Sequence, residues 1–385
     1  MEIEIGRGKK ARQAYGFDDI AIVPSRRTRD PQDVDIGWKL GPHLLELPLF
    51  ASAMDGVVSP KIAIELGKLG GLGVLNLEGI FTRYANAEPE LQKIAKLPKE
   101  QATVGMQKIY AKPVKPELIA KRIAEIKASG VLVAGSLTPQ KVREHYEVAL
   151  EAGLDILVIQ GTVVSAEHVS SNGNALNLKE FISSLPIPVI VGGCASYQTA
   201  LHLMRTGAEG VLVGVGPGQA CTTRGVLGVG VPQATAIADA AAARIQHLLE
   251  TGKYVNVIAD GGMRTGGDIA KAVACGADAV MIGSPLARAK EAPGRGFHWG
   301  MATFHPTLPR GARVAVDQSA TLEEIVIGPA RENDGTLNLM GALRTSMATC
   351  GYESIHDFQK AEVMLAPAIT TEGKSLQQAQ RIGMG

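Results

Sequence analysis

The sequence lacks any strong imbalance of charge. Among its 385 residues, 39 Lys and Arg stand against 38 Asp and Glu, which gives a formal net charge of +1. Proteins that bind nucleic acids usually cluster Lys and Arg on one surface, and no such block is found along this chain. We therefore expect no nucleic-acid partner.

Long uninterrupted apolar segments are also missing. The longest uncharged stretches carry Pro or Gly at short intervals, whereas a helix that spans a membrane needs about 20 consecutive apolar residues. The first ten residues, MEIEIGRGKK, have no apolar core of the kind found in signal peptides. We expect no membrane association and a cytoplasmic location.

Cysteine is scarce, and its spacing excludes the common structural metal sites. The four cysteines are far apart and form no metal-ligand pattern. We predict four reduced thiols, as in an enzyme of a reducing compartment. The cysteines are Cys194, Cys221, Cys275 and Cys350.

Eight apolar runs alternate with amphipathic segments along most of the chain, which predicts eight parallel strands joined by helices. The runs are 48–53, 72–77, 131–136, 156–161, 188–193, 210–215, 255–260 and 278–283. Eight such units are typical of the (β/α)8 TIM barrel. The alternative is a doubly wound open sheet, which the absence of GxGxxG after the first strand disfavours.

Three segments do not follow this alternation. Residues 1–46 form an irregular lead-in, and residues 293–385 form a tail. Residues from about 80 to 130 form a short insertion or, alternatively, an extended second βα unit. We predict a single barrel domain to which these segments are attached.

A nucleophile is predicted after the sixth strand. There the run GVLVGV leads into a glycine-rich turn, then into Cys221, Thr222, Thr223 and Arg224. Functional groups in parallel barrels stand where strands end, and the nearby Arg224 cation would favour a thiolate. The alternative is an inert structural cysteine.

The last two predicted strands end in residues suited to a phosphorylated ligand. Asp260 is followed by Gly261 and Gly262, and Gly283 is followed by Ser284. Backbone N–H groups at such turns can hold a phosphate, and a carboxylate at a strand end suits a vicinal diol. The alternatives are a helix cap for Asp260 and a plain turn for Gly283 and Ser284.

With these residues identified, the chain resembles the IMP dehydrogenase and GMP reductase family over nearly its whole length, except for 80–130 and the far C-terminus. The similar segments follow the family's order. They are SAMD (52–55), GGLGVLN (70–76), GVGPGQACTTRGVLGVGVPQ (214–233), ADGGMRTGGDIAKAVACGADAVMIGS (259–284) and EAPG (291–294).

The resemblance implies a reaction and a set of roles. The Cys221 thiolate would add to C2 of a purine nucleoside monophosphate, a hydride would pass between C2 and a nicotinamide, and Thr223 would handle protons. Ser52 and Met54 would contact the nucleotide, and Asp260 would bind the ribose hydroxyls. The residues implied for the phosphate are Gly261, Gly262, Gly283 and Ser284. Met301 and Glu324 would contact the base.

The resemblance also implies cofactors and an assembly. K⁺ would be held by the main-chain carbonyls of Gly216, Gly218 and Cys221, and NAD would be bound by the segment after the fourth strand. The family forms homotetramers, or octamers of paired tetramers. In this chain the cofactor segment reads Gln160, Gly161 and Thr162, where the family usually has an acidic residue and serines.

Two other departures bear on function. The CBS regulatory modules of longer family members have no counterpart, since only about fifty residues stand at their place. The segment that activates water in the dehydrogenase carries an Arg-Tyr pair, but here no tyrosine follows Arg310 or Arg313. Of the two arginines, we predict Arg313 as the one that acts on water, because its spacing to Glu324 better fits the dehydrogenase layout.

The sequence favours an NAD-dependent IMP dehydrogenase, which oxidises IMP to XMP, because GVGVPQ (228–233) and the tail follow the dehydrogenase version. One alternative is a GMP reductase, which converts GMP to IMP with NADPH and is also short. Another is a purine-nucleotide-binding regulatory protein without turnover. IMP, XMP or GMP would be the nucleotide partners in each case.

Overall fold

The described part of the chain comprises residues 2–166, 176–300, 313–366, 376–377 and 380 of a computed structural model. It contains a closed barrel of eight parallel strands, preceded by five short strands in the lead-in. The lead-in strands are β1 (Glu2–Gly6), β2 (Lys9–Arg12), β3 (Ile20–Ile22), β4 (Trp38–Leu40) and β5 (His43–Leu45).

The barrel strands follow the chain in order around the ring, and the last pairs with the first. They are β6 (Leu49–Ala51), β7 (Leu72–Asn76), β8 (Ala134–Leu137), β9 (Ile156–Gln160), β10 (Val189–Cys194), β11 (Gly210–Val213), β12 (Asn256–Asp260) and β13 (Ala279–Ile282). The predicted TIM barrel is confirmed, and the open sheet is excluded because β13 pairs with β6.

Helices connect these strands and form an outer layer. They are α1 (Pro60–Lys68), α2 (Ile80–Arg83), α3 (Glu88–Lys96), α4 (Ala102–Tyr110), α5 (Pro116–Lys127), α6 (Val142–Glu151), α7 (Leu178–Ser183), α8 (Tyr197–Met204), α9 (Thr223–Leu227), α10 (Gln233–Thr251), α11 (Gly266–Ala274) and α12 (Ser284–Ala287). Helix α5 packs against α1 and α6, so it belongs to this layer, which agrees with the alternative of an extended second βα unit.

The described part of the tail contains a hairpin, three helices and a further strand. They are β14 (Phe297–Trp299), β15 (Arg313–Ala315), α13 (Leu322–Val326), α14 (Leu339–Thr349), α15 (Ile355–Phe358) and β16 (Val363–Leu365). Helix α14 packs against α11, and β16 pairs with β3. The tail and the lead-in are thereby joined on the outside of the barrel.

The barrel interior is a continuous apolar core. Side chains from all eight strands meet there, including Phe50, Val158 and Leu212, and all three are fully buried. Trp38 of β4 joins this cluster, and its indole donates to the carbonyl of Leu47 at 3.1 Å. Because β4 and β5 directly precede β6, their hairpin closes the N-terminal end of the barrel and leaves the C-terminal end for function.

None of the helices in the described ranges is long and apolar enough to cross a membrane.

Candidate active site

Most of the predicted site residues on the described chain stand at the C-terminal ends of the barrel strands, whereas Arg313 and Glu324 lie in the tail. Ser52 and Met54 follow β6, Gln160 ends β9, and Asp260 ends β12. Cys221 lies in the loop after β11. This loop and the ends of β12, β13 and β6 are neighbours in the ring, so the predicted nucleotide residues lie on one side of the barrel mouth.

The predicted nucleophile is accessible, and a hydroxyl lies beside it. Cys221 is exposed, whereas Thr223 is buried at the start of α9. The Cys221 thiol donates to the Thr223 hydroxyl across 3.2 Å. A hydroxyl in this place can equally donate to a thiolate, so the geometry fits both predicted roles.

Arg224 holds the cysteine loop together. Its guanidinium donates to the carbonyl of Val215 at 3.4 Å and to that of Val231 at 2.6 Å, so it joins the two ends of the loop. A Cβ on Gly216 would lie 2.5 Å from the Arg224 side chain, and one on Gly230 would lie 2.6 Å from it. These bonds give Arg224 a structural role in the loop, and its effect on the thiolate stays a prediction.

Asp260 carries the most perturbed carboxylate of the predicted set. Burial raises the pKa of Asp260 to about 7, and a hydrogen bond from Gln160 partly opposes this rise. Gln160 Nε2 lies 3.1 Å from Asp260 Oδ2. The alternative role as a helix cap does not apply, because Thr265 caps the following helix α11.

The two glycines after Asp260 let the cysteine loop approach. Both have positive φ, +77° at Gly261 and +82° at Gly262, and a Cβ on either would contact Pro217. The N–H of Gly261 donates to the carbonyl of Met281 at 3.0 Å. This corrects the prediction for Gly261, whose N–H is already used, and leaves Gly262 as the candidate for a phosphate.

Gln233, which the sequence did not single out, joins these loops. Its buried amide donates to the carbonyls of Val213 at 2.8 Å, Asp260 at 3.0 Å and Gly261 at 3.3 Å. Its place at the start of α10, directly after Pro232, was the only available signal. The amide thus connects α10 to the ends of β11 and β12.

The second predicted phosphate-binding turn, at Gly283 and Ser284, contacts the residues that follow β6. Ser52 N–H donates to the carbonyl of Ile282 at 3.0 Å. A Cβ on Gly283 would lie 2.7 Å from Met54 Sδ and 3.5 Å from Ser52 Oγ. Ser284 begins the short helix α12. The structure therefore brings Ser52, Met54 and Gly283 together, as one ligand site requires.

The predicted cofactor residues Gln160 and Gly161 make hydrogen bonds within the protein. Gln160 contacts Asp260, and Gly161 exchanges backbone hydrogen bonds with Gly192 at 2.8 Å and Gly193 at 3.1 Å. Thr162 follows in the same segment. The structure thus places Gln160 with the predicted ribose residue instead of in a separate cofactor site.

A cavity of about 680 Å³ opens on the same face, beside the ends of β7 and β8. Asp55, Tyr110 and Trp299 line it, together with Asn76 and Thr138. Tyr110 donates to the Asp55 carboxylate and accepts from the Trp299 indole at 2.8 Å. Burial raises the pKa of Asp55 to about 6. This aromatic and polar cavity, which the sequence did not predict, has room for part of a large ligand.

The predicted water-activating arginine has a structural contact. Arg313 lies on β15, where its guanidinium donates to the carbonyls at the end of α3: Ile94, Ala95 at 3.2 Å and Leu97 at 2.7 Å. Its guanidinium also lies 4.0 Å from the centre of the Phe297 ring. These bonds join the hairpin to the insertion, and the role of Arg313 over the substrate stays a prediction.

Other predicted residues fall outside these contacts. Glu324 caps α13, accepts from the Thr321 N–H at 2.7 Å and pairs with Arg331. The Thr321 N–H and Arg331 lower the pKa of Glu324, and its contact with a base stays a prediction. Met301 and Arg310 lie outside the described residues.

The K⁺ prediction concerns main-chain carbonyls, one of which is already engaged. The carbonyl of Gly218 accepts from the Cys221 N–H at 3.0 Å. Within the described ranges, no group of three or more His, Cys, Asp or Glu side chains could hold a metal ion. K⁺ binding by Gly216, Gly218 and Cys221 therefore stays a prediction.

Comparisons with known proteins agree on one family. The family model for the IMP dehydrogenase / GMP reductase domain matches residues 14–375. An uncharacterized oxidoreductase of Mycolicibacterium smegmatis is 49% identical over 367 residues, covering 93% of this chain and 98% of that protein. The inosine-5'-monophosphate dehydrogenase of Cryptosporidium parvum is 30% identical over 396 residues, covering 93% of this chain and 92% of that enzyme.

A solved structure is similar along almost the entire chain. It is that of an IMP dehydrogenase/GMP reductase-like protein from Corynebacterium glutamicum, with a TM-score of 0.90 and 46% sequence identity. The similarity covers 95% of this chain and 98% of that one.

Proposed function

The chain belongs to the IMP dehydrogenase / GMP reductase family of oxidoreductases, and on this basis we propose that it oxidises IMP to XMP with NAD⁺. The observation that carries the proposal is the pairing of an exposed Cys221 thiol with the Thr223 hydroxyl at 3.2 Å. Their loop packs against the two glycines that follow Asp260. A nucleophile and a ribose-binding carboxylate therefore belong to adjoining loops.

In the proposed reaction, the Cys221 thiolate adds to C2 of IMP and forms a carbon–sulfur bond. The Thr223 hydroxyl would stabilise the thiolate by donating to it. Asp260 would accept from a ribose hydroxyl, while Ser52, Met54 and the turn at Gly283 would hold the rest of the nucleotide. After a hydride leaves C2, water attacks the thioimidate, and the carbon–sulfur bond breaks to release XMP and the thiol.

The dinucleotide would supply the acceptor for that hydride when bound. The cavity beside β7 and β8 supports binding of its larger part on the same face as Cys221, because it has room and offers the aromatic rings of Tyr110 and Trp299. The Oδ1 atom of Asp55 is buried there and accepts no hydrogen bond from the described protein. A hydroxyl or amide of the ligand could satisfy it. We therefore assign the cofactor to this cavity.

Two alternatives remain distinct from the proposal. A GMP reductase would use the same thiol and pocket but would release ammonia and consume NADPH. A nucleotide-binding protein without turnover would keep the pocket alone. The dehydrogenase is favoured because GVGVPQ (228–233) and the tail after residue 320 follow its sequence pattern.

An assay of the purified protein separates these functions. With IMP and NAD⁺ we expect NADH to appear in equal amount to XMP, measured by absorbance and chromatography. With GMP and NADPH we expect neither ammonia nor IMP. Ammonia release from GMP would assign the protein to the reductases, and binding of nucleotides without either reaction would leave only the regulatory role.

Replacing Asp260 by asparagine is expected to weaken IMP binding by about 1–3 kcal/mol, which is roughly 5- to 150-fold. Because burial raises the pKa of Asp260 to about 7, the carboxylate becomes charged only as the pH rises through this value. We therefore expect the KM of the wild type for IMP to fall between about pH 6 and pH 8, and that of Asp260→Asn to lack this dependence.

The Asp260→Asn substitution, which is expected to weaken binding, is not expected to weaken the fold. An acid whose pKa is raised by folding stabilises the fold at low pH, and this contribution is lost as the pH rises from about 4 to about 7. At pH 8, Asp260→Asn should thus unfold no more easily than the wild type, and its free energy of unfolding should be higher by on the order of 1 kcal/mol. Weaker binding together with a lower melting temperature would mean that Asp260 is structural.

A further inference from the structure

Gln160 reaches across the mouth of the barrel. It ends β9, whereas Asp260 ends β12, and two strands, β10 and β11, separate them in the ring. Its Nε2 nevertheless lies 3.1 Å from Asp260 Oδ2 and 4.0 Å from the sulfur of Met281 on β13. The amide therefore spans the lumen directly beside the predicted ribose residue.

The other end of this amide has no partner. Gln160 Oε1 is buried and accepts no hydrogen bond from the described protein. A buried acceptor without a donor costs about 1–3 kcal/mol, which an apolar side chain of the same length would avoid. Stability alone would thus favour leucine or methionine at position 160. The presence of an amide there is therefore attributed to the hydrogen bond that its N–H group donates.

That N–H group acts on one carboxylate. Of the described side chains, Gln160 is the one that donates to Asp260, and its hydrogen bond lowers the carboxyl pKa against the effect of burial. The other polar contact, from Gln233, goes to the backbone carbonyl of Asp260 and not to its carboxylate. Met281 is neutral. No described charged side chain contributes to the pKa shift of Asp260.

We propose that Gln160 is a positioning residue of the nucleotide site, which orients Asp260 so that one carboxylate oxygen is committed to the amide and the other is left for a ribose hydroxyl. This inference rests on the proposed function. It assigns Gln160 to nucleotide binding, although its place after the fourth strand had predicted a cofactor contact.

The test measures equilibrium binding of IMP and of GMP between pH 6 and pH 9 to the wild type, Gln160→Leu and Gln160→Glu. Leucine keeps the size but removes the donor, so we expect the pKa of Asp260 to rise above its value of about 7. A rise of about one unit lowers the charged fraction at pH 7, and with it the affinity, by about fivefold. The loss should shrink toward pH 9, where Asp260 is charged in both proteins. Glutamate, which places a second carboxylate about 3 Å away, should shift the same pH dependence further upward.

Two controls make the result specific. In the Asp260→Asn background, Gln160→Leu should no longer change the pH dependence, because no carboxylate remains to be held. Carbon NMR titration of Asp260 in the ligand-free protein should show a higher pKa in Gln160→Leu than in the wild type. The titration of the nucleotide phosphate is common to all variants and cancels in the comparison.

The outcomes separate the inference from the function on which it rests. If the wild type binds and Gln160→Leu weakens binding equally at every pH, with an unchanged Asp260 titration, Gln160 has only a structural role and the inference is wrong. If the wild type binds neither nucleotide, the proposed function itself fails, and the role of Gln160 fails with it.

Discussion

Replacing Cys221 by alanine is expected to lower turnover by at least about 10³-fold, while IMP binding stays within about threefold of the wild type. The reason is that the thiol supplies the bond to C2, whereas the nucleotide is held mainly by groups on other strands. Because Cys221 is exposed at the end of its loop, its truncation leaves no cavity in the core. Initial rates of NADH formation and calorimetric titration with IMP measure the two quantities.

Cys275 offers the matched control. It is also a free thiol and is partly exposed, but it lies at the end of α11. Burial raises the pKa of Cys275 to about 11, so it stays protonated at neutral pH. Cys275→Ala should keep full activity. Substantial NADH formation by Cys221→Ala would show that another group is the nucleophile.

The second large effect is expected at Arg310. We predict that Arg310→Ala forms NADH in a burst and then slows by about 10²- to 10³-fold, because the covalent adduct on Cys221 is no longer hydrolysed. The sequence alone had favoured Arg313 for this step. Because Arg313 donates to carbonyls at the end of α3, we favour Arg310, the other predicted arginine, for this step.

Arg313→Ala is the informative comparison. It should hydrolyse the adduct at a rate near that of the wild type but unfold more easily, by about 1–3 kcal/mol, since carbonyls of α3 lose a charged donor. Rapid-quench measurement of the burst, mass spectrometry of the adduct and thermal unfolding distinguish the two variants. A burst in Arg313→Ala with normal stability would restore the original assignment. Loss of the burst in Arg310→Ala would place that residue in nucleotide binding.

The fold could be predicted from the sequence because parallel barrel strands are buried on both faces and therefore appear as continuous apolar runs. Each of the eight runs contains most or all of one strand. The third is displaced, since the run at 131–136 becomes a strand at Ala134–Leu137. An apolar run does not mark its own ends, which are set by pairing with β7 and β9.

The site was predictable where residues are close in sequence and much less so where barrel closure brings them together. Cys221 and Thr223 are two residues apart, and their contact follows from the loop itself. The contact between Gln160 and Asp260 joins positions 100 residues apart across the lumen, and no local pattern encodes it. The contacts of Arg313 were missed for the same reason, because its partners on α3 are more than 200 residues earlier.

Mutual dependence among three positions follows from the way the cysteine loop is closed. Arg224 can reach Val215 and Val231 only because Gly216 and Gly230 have no side chains in its path. A methyl group at either glycine would clash with the Arg224 side chain. Without the arginine this clash would not arise. The effects of substitutions at the three positions will therefore not be additive. This epistasis restricts the routes by which the loop can evolve, since a single exchange at any of the three positions disturbs the segment that carries Cys221.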